Sequence, residues 1–373
     1  MDIAYYFRKS PLANFECNNE SMGRSRNPAA FPEIDDGGEL VRQAAICRAM
    51  DSPLTASVLE ASKRVLAAGI RTSQTIADWK GNRGHAAVAL RLAGGLHWLA
   101  RQGADSMLSD LYRNRSGDFD AVIANTFRNN DDFLADWLHS PPKTNEVGRA
   151  AAIMAALLVI SKRFGLPIEL IELGSSAGLN LNLHRYAYDL GGVKAGDLSS
   201  DVLIQPDWRG LPPPNSAVDI QSTRGVDTDP VDLADPANTE RLMAYVWADR
   251  EDRIERLSRV IAVARSFPPQ IDIGDAVSWI EGALATPQLE GLVRVVFHSI
   301  VLQYISDEGR SRIREIIHAA GADATDQRPL AWISFEWNEK RGGIELRLTM
   351  WPGGEERLLA TSHAHGQWID WLL

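Results

Sequence analysis

The chain has 373 residues, 45% of them apolar and 24% charged, the balance of a globular protein long enough to build two cores. Its net charge of −10 leaves no basic field for duplex DNA or RNA, and no dense Lys/Arg run supplies one locally, so nucleic acid is not the expected partner. The two cysteines, Cys17 and Cys47, stand outside any CxxC or Cys/His cluster, which argues against a disulfide framework and a structural zinc site.

The opening MDIAYYFRKSPLANFEC lacks a basic stretch running into an apolar one and does not read as a signal peptide. Residues 1 to about 36 read as an irregular arm. From Leu40 to about Asn130 apolar residues recur at helical spacing, with Ser52-Pro53 and Gly69 as start and stop signals. A further helix is predicted from about Asn145, with Thr144 as its N-cap and Gly165 as its stop. Its run Ala150–Ile160 is too short to span a bilayer, so no membrane partner is expected and the cytoplasm is the default. The expected division is an arm with an α-helical cap over residues 1–140, then an α/β domain over 141–373.

Beyond Gly165 apolar β-rich runs alternate with helices: IELIEL, STRGVD, PQIDIGD, LVRVVFH and LAWISFEW. Such alternation predicts βαβ units and a parallel sheet. IELRLTMW and ERLLATS, around Pro-Gly-Gly, predict an antiparallel hairpin. Residues from about 186 to 214 read as an inserted β-hairpin ending in a Pro-rich linker.

The stretch IELIELGSSAGLNLNL (168–183) predicts a strand, a small-residue bend and a helix, whose first N–H groups suit a negative or polar ligand edge. Gly174-Ser-Ser-Ala-Gly178 fails the G-x-G-x-x-G spacing of dinucleotide sites. It does contain G-x-S-x-G, so Ser176 could be a hydrolase nucleophile with His363 or His365 as its late histidine. Against that reading stand the helical upstream third, the lack of an HGGG-type segment, and Glu172 at the strand tip. The bend is also similar to the loop that holds S-adenosylmethionine in class I methyltransferases, with Ser176 at the middle glycine. Glu172, Gly174, Ser175, Ser176 and Gly178 would then face the cofactor. Asp227, ending the second strand, would take the ribose hydroxyls, and Asp275-Ala276, beyond the third, the adenine amine. Losing Asp227 should then weaken the cofactor roughly 10- to 100-fold. The simpler alternative is that each Asp caps the helix that follows. Asp197 is the fallback ribose ligand, since Gly178 and Asp227 are separated by the insert.

TNEVGRAA, ELGSSAGLNLNLHRYAY, GVDTDPVDLADP, FHSIVLQYIS and HGQWIDWL together resemble a bacterial family known as a domain of unknown function (number 2332), similar to class I methyltransferases in its second half. The resemblance runs from about residue 40 to the end. It implies a Rossmann-like sheet, parallel with one antiparallel C-terminal strand, and S-adenosylmethionine as cofactor. It names no substrate. An unidentified small, polar methyl acceptor follows as the expected partner; the sequence carries no signal for the oligomeric state.

Methyl transfer needs a base only when the acceptor must lose a proton. His298, ending the fourth strand, has the ordinary pKa range for one, and Ser299 and Tyr304 are near enough to share its cleft. The alternative is a histidine bonded within the core. No Asn-Pro-Pro-aromatic signature of base-amine methylation is present. Asn145 and Arg149, four apart, should share a helix face and could hold the cofactor carboxylate, or be a surface arginine and a helix-start asparagine. His363-x-His365 lacks a third metal ligand. Tyr186 and Tyr188 in the insert are candidates to touch substrate; Trp208, Trp247, Trp279 and Trp332 read as core. A binding protein that has lost catalysis is the remaining alternative.

Overall fold

The computed structural model describes residues 38–373 except Ala68, Asn82, His85, Lys340 and Arg341. The arm expected over 1 to about 36, with Cys17, lies outside the described residues. The chain forms two compact units: one from the described residues up to Thr144 with Thr239–Glu255, the other from Asn145–Asn238 with Arg256–Leu373. The first unit thus runs slightly past the expected boundary and takes in a later segment. Among the described residues no helix is long and apolar enough to cross a membrane.

The first unit holds α1 (Gly38–Ala49), α2 (Pro53–Val65), α3 (Arg71–Ala77), α4 (Val88–Gln102), α5 (Ser106–Asn114) and α6 (Phe119–Leu138). Pro53 opens α2, its fixed φ suiting the first helical position. The cap differs from the sequence signal: Ser52 makes no side-chain cap bond, and Asp249 instead accepts from Leu54 N–H (2.7 Å) and the Thr55 hydroxyl (3.1 Å). Asp105 and Asp118 cap α5 and α6 through Leu108 N–H and Ala121 N–H. Buried almost all round, α4 sets Leu92 and Leu96 among Leu59, Leu108, Ile123 and Leu134. The later segment belongs here because Ala244 and Tyr245 join the Trp98, Phe133 and Trp137 rings in a satellite core. Cys47 is buried in this unit, and burial pushes its thiol up to about 12.

The second unit begins with a correction. Asn145 lies outside any helix, Val147–Arg149 is a 3-10 turn capped by Glu146, and α7 runs over Ala150–Phe164. Glu146 accepts from Gly148 N–H at 2.9 Å and so supplants Thr144 as the cap. Gly165 ends α7 in the left-handed conformation, as expected. The strands are β1 (Ile168–Leu173), β2 (Ala187–Leu190), β3 (Val193–Gly196), β4 (Leu203–Ile204), β5 (Asp207–Arg209) and β6 (Ile220–Asp227). After α8 (Pro236–Tyr245) and α9 (Glu251–Ser266) come β7 (Ile271–Ile273), α10 (Ala276–Ala285), β8 (Val293–Ser299) and α11 (Asp307–Ala322). The chain finishes with β9 (Leu330–Trp337), β10 (Ile344–Trp351), β11 (Glu355–Ser362) and β12 (Trp368–Trp371).

This is a mixed α/β fold on a mostly parallel nine-stranded sheet, ordered β5-β12-β11-β10-β9-β8-β1-β6-β7. The five expected parallel strands form the run β9-β8-β1-β6-β7. Beyond β9 the arrangement departs from the expected single antiparallel strand: β9, β10, β11 and β12 form an antiparallel meander, and β5 pairs parallel with β12 at the edge. The insert is more than a hairpin, because β4 adds parallel to β2 beside the β2–β3 pair. Nor does an α-helix follow β1. Leu179–Arg185 is a 3-10 helix in which leucines alternate with asparagines.

The two faces of the sheet bury different groups. Ile171 and Leu173 of β1 pack with Val296, Trp332 and the α10 and α11 residues Ile280, Ile313 and Ile317. Glu172, between them, therefore points to the opposite face, the side of α7. Each fully buried Leu or Ile contributes ~1.5–3 kcal/mol, and α7 buries Ile153, Leu157, Leu158 and Ile160 completely.

Candidate functional site

Three left-handed residues shape the bend after β1: Gly174 (φ 72), Ser176 (φ 55) and Gly178 (φ 68). Close packing accompanies the turn. A Cβ on Gly174 would run into the Val301 side chain, and one on Gly178 would lie 2.6 Å from Pro269 Cγ. Gly174 N–H and Ser175 N–H both donate to Val226 O (2.9 and 3.0 Å), and Gly178 N–H donates to Ser175 O (2.7 Å). Ser176 N–H donates to Asp227 Oδ2 at 2.8 Å, and Leu179 N–H to Asn145 Oδ1 at 2.9 Å. The N–H groups that the strand-bend-helix pattern offers to a ligand are thus largely spent within the protein.

Asp227 also accepts from Asp229 N–H on its other oxygen (2.9 Å), so one half-buried carboxylate organises the ends of β1 and β6. Gly274 N–H donates to Asp227 O (3.0 Å), which sets the tip of β7 beside it. Asp275 follows directly. Its Oδ1 caps α10, accepting from Val277 N–H (3.0 Å) and Ser278 N–H (3.1 Å), and Ala276 is the first residue of that helix. Beside the bend lies a cavity of about 480 Å³ lined by Ala177, Asp229, Val231, Arg265, Pro269 and Ile273, among others. Asp197 lies in the turn after β3, accepting from Ser199 N–H and its hydroxyl (3.0 and 2.6 Å).

Glu172 is 1% exposed, and burial drives its carboxyl well above the ordinary carboxylate range. Hydrogen bonding from Ser175 and Asn180 and the Arg149 charge pull it down, while Asp227 adds to the rise. Arg149, also buried, clamps no open space: Nε donates to Ala364 O (2.9 Å) and Nη1 to Ser299 O (3.0 Å). With Asn145 outside any helix and bonded to Leu179, the two do not share a helix face; Glu146 caps the 3-10 turn that ends at Arg149, and α7 follows it.

His298 belongs to the other face. It is paired in register with Leu173 and fully buried. Trp332 Nε1–H donates to its Nε2 at 3.0 Å, and its Nδ1 lies 2.7 Å from Glu336 Oε1. An indole N–H can only donate, so Nε2 is bare and Nδ1–H donates to the carboxylate. The lone pair a base would use is already engaged. Glu336 Oε1 additionally accepts from Val301 N–H (3.0 Å) and Leu302 N–H (3.3 Å), fixing the turn whose Val301 covers Gly174. That turn begins at Ile300, a β-branched residue in the left-handed region (φ 56). Tyr304 is 54% exposed. A polar cavity of about 640 Å³ on this face is lined by Leu302, His318, Trp332, Glu336, Trp337 and Arg347, among others.

Tyr186 and Tyr188 correct an expectation. Both are fully buried, with hydroxyls donating to Leu179 O (2.5 Å) and Leu183 O (2.7 Å), so they pin the 3-10 helix and do not face a cleft. His365 N–H donates to His363 Nδ1 (3.1 Å). Among the described residues no group of three His, Cys, Asp or Glu is arranged to hold a metal ion.

The structure therefore gathers Asn145, Glu172, the 174–178 bend and Asp227, sets Asp275 next to them as a cap, and holds His298 across the sheet. Sequence reasoning missed Asn180, Val301 and Glu336. The available signals were the Asn interleaved with Leu at 179–183, and the polar face Ser334, Glu336 on an otherwise apolar strand.

Comparison with known proteins gives one relationship. The family described as an uncharacterized protein conserved in bacteria (DUF2332) matches residues 38–371, and the chain belongs to it. No curated protein and no solved structure matches.

Proposed function

With that membership as the premise, we propose that the second unit binds S-adenosylmethionine along the C-terminal tips of β1, β6 and β7 and passes its methyl group to a small polar acceptor. The observation that carries the reading is the Ser176 N–H to Asp227 bond, which draws the acid of one strand onto the bend of its neighbour. The order β7-β6-β1-β8-β9 supports it, because strand succession reverses between β1 and β8, the kind of place where open α/β sheets take ligands.

The residues present fit such a group beside the bend. Val301 and Pro269 fill the space over Gly174 and Gly178, and the open volume lies along Ala177, Asp229, Val231 and Ile273. Asp227, already holding two N–H groups, keeps further lone pairs for ribose hydroxyls. Val231 and Ile273 offer an apolar wall to the base. Glu172 orients the bend from beneath. The bound cofactor would supply a methyl group on a sulfonium. The chain's own contribution is alignment, which in such displacements lowers the barrier by up to ~7–11 kcal/mol.

Thermal unfolding with S-adenosylmethionine or its demethylated product tests this. A ligand at 100 times its Kd stabilises by about 2.7 kcal/mol, so the melting temperature should rise by several degrees. No shift with either at millimolar concentration, together with no nucleoside in mass spectra of the purified protein, would sink the proposal. The left-handed backbone at Ser176 favours one other reading, acyl transfer by its hydroxyl, although among the described residues no histidine hydrogen-bonds to it. Fluorophosphonate labelling that disappears in Ser176→Ala would put that reading in place of methyl transfer.

A further inference from the structure

Three buried polar atoms of the first unit lie in one ring cluster without a hydrogen-bond partner: Trp137 Nε1, Tyr245 Oη and Arg241 Nη2. Trp137 and Tyr245 are 8% and 7% exposed. Their rings stand 5.8 Å apart, and the Arg241 Cζ lies 4.3 Å from the indole centroid and 5.9 Å from the phenol centroid. The middle of α4 carries no side chains where these rings sit. A Cβ on Gly94 would lie 2.5 Å from Tyr245 Cε1, and one on Gly95 would lie 3.0 Å from Trp137 Cδ1.

The chemistry of the cluster is one-sided. An indole N–H and a guanidinium N–H can only donate. Arg241 and Trp137 both lean on the Tyr245 oxygen and offset part of the burial that holds its phenol un-ionised, yet neither closes a hydrogen bond to it. The un-ionised phenol is itself a donor. Positive charge is in surplus too. Arg91, 9% exposed, gives Nε to Ala86 O (2.7 Å) and Nη1 to Leu138 O (2.9 Å), and Arg241 acts on it as a like charge. Among the described residues no carboxylate hydrogen-bonds to Arg91 or Arg241. Stacking on the indole offsets some of the Arg241 charge and none of its N–H demand. Buried donors and buried charges are ordinarily answered by a partner, and a water would answer the first and not the second.

We propose that the cluster is an anion site, in which Trp137 Nε1–H, Tyr245 O–H and Arg241 Nη2–H bind one oxyanion, a free phosphate or carboxylate or the anionic end of a larger molecule. The half-buried Arg241 gives the way in. A guanidinium matches the oxygens of carboxylate and phosphate better than a single-atom halide, which sets the class of ligand. Tyr245 and Arg241 stand on α8 and Trp137 on α6, so a bound anion ties the late segment of the first unit to its early helices. The site does not depend on what the second unit binds.

The test reads the Trp137 indole N–H directly. Full-length protein labelled with 15N-tryptophan and dialysed exhaustively into low-salt buffer shows one indole peak that is lost in Trp137→Phe. Sodium phosphate or sodium acetate should move that peak saturably, with the remaining indole peaks as the control for ionic strength. Arg241→Gln should weaken the binding ~10- to 100-fold, the loss of a hydrogen bond from a charged group, and Tyr245→Phe only ~2- to 10-fold. Response to phosphate alone or to acetate alone supports the site and identifies which oxyanion it takes. A Trp137 peak that neither anion moves at tens of millimolar would show that an ordered water alone answers the donors, and would overturn the proposal. Sodium chloride acting as strongly as both would overturn it as an oxyanion site. The wild-type titrations decide the matter even if a variant does not fold.

Discussion

Asp227 gives up few degrees of freedom and fixes many. Its two oxygens hold Ser176 N–H and Asp229 N–H, so the bend after β1 and the chain leaving β6 share one acceptor. Hydrogen bonds to a charged group contribute ~1.5–3 kcal/mol each. Asp227→Ala should therefore cost about 2–4 kcal/mol in urea unfolding, and Asp227→Asn less, because its amide oxygen can still accept. An alanine variant within about 0.5 kcal/mol of wild type would show that water replaces the carboxylate without loss. Ser176 invites the opposite change. A left-handed conformation costs an L-residue ~1–2 kcal/mol, so Ser176→Gly should be nearly neutral, strain relief offsetting the freer unfolded chain. The same variant removes the only atom through which acyl transfer could run.

At the scale of elements, the end of β8 shows how a turn is held from a neighbouring strand. Glu336 on β9 gathers Val301 N–H, Leu302 N–H and His298 Nδ1–H on one oxygen, and Trp332 locks the far side of the imidazole. Trp332→Phe leaves His298 Nε2 buried without a donor, at roughly 1–3 kcal/mol. Adopting the other tautomer would not rescue it, because a bare Nδ1 would then face a carboxylate. Glu336→Gln should loosen residues 300–304, seen as faster amide exchange there with less change along β9; uniform exchange across both segments would contradict this clip. The parallel strands β1, β6, β7, β8 and β9 were legible because apolar β-rich runs bounded by turn residues are a local signal. Edge strand β5 and its neighbour β12 were not: three and four residues long, they pair with each other from opposite ends of the domain's sequence. Local reading likewise put Asn145 and Arg149 on one helix, whereas the Glu146 cap starts a 3-10 turn after Asn145 and α7 begins only after Arg149. The acids at the strand tips could be located from sequence, but not their partners. Whether Asp275 caps a helix or Glu172 sits beneath a bend depends on packing that no short window contains.

For the whole molecule, the telling feature is the composition of the first unit, which takes Thr239–Glu255 from far along the chain. Tyr245 completes the ring cluster of Trp98, Phe133 and Trp137, and Asp249 caps α2. A fragment of residues 38–144 should therefore bind a hydrophobic dye and melt without a sharp transition, and joining 239–255 to it through a flexible linker should restore cooperativity. Equal, sharp melting of both fragments would show that the six early helices suffice. The interleaving also orders events during synthesis. A nascent chain usually settles its leading domain while the rest is still being made. Here the leading helices must wait, with aromatic surface uncovered, until the ribosome has delivered β1, the insert and β6, and a chaperone has that interval in which to engage them.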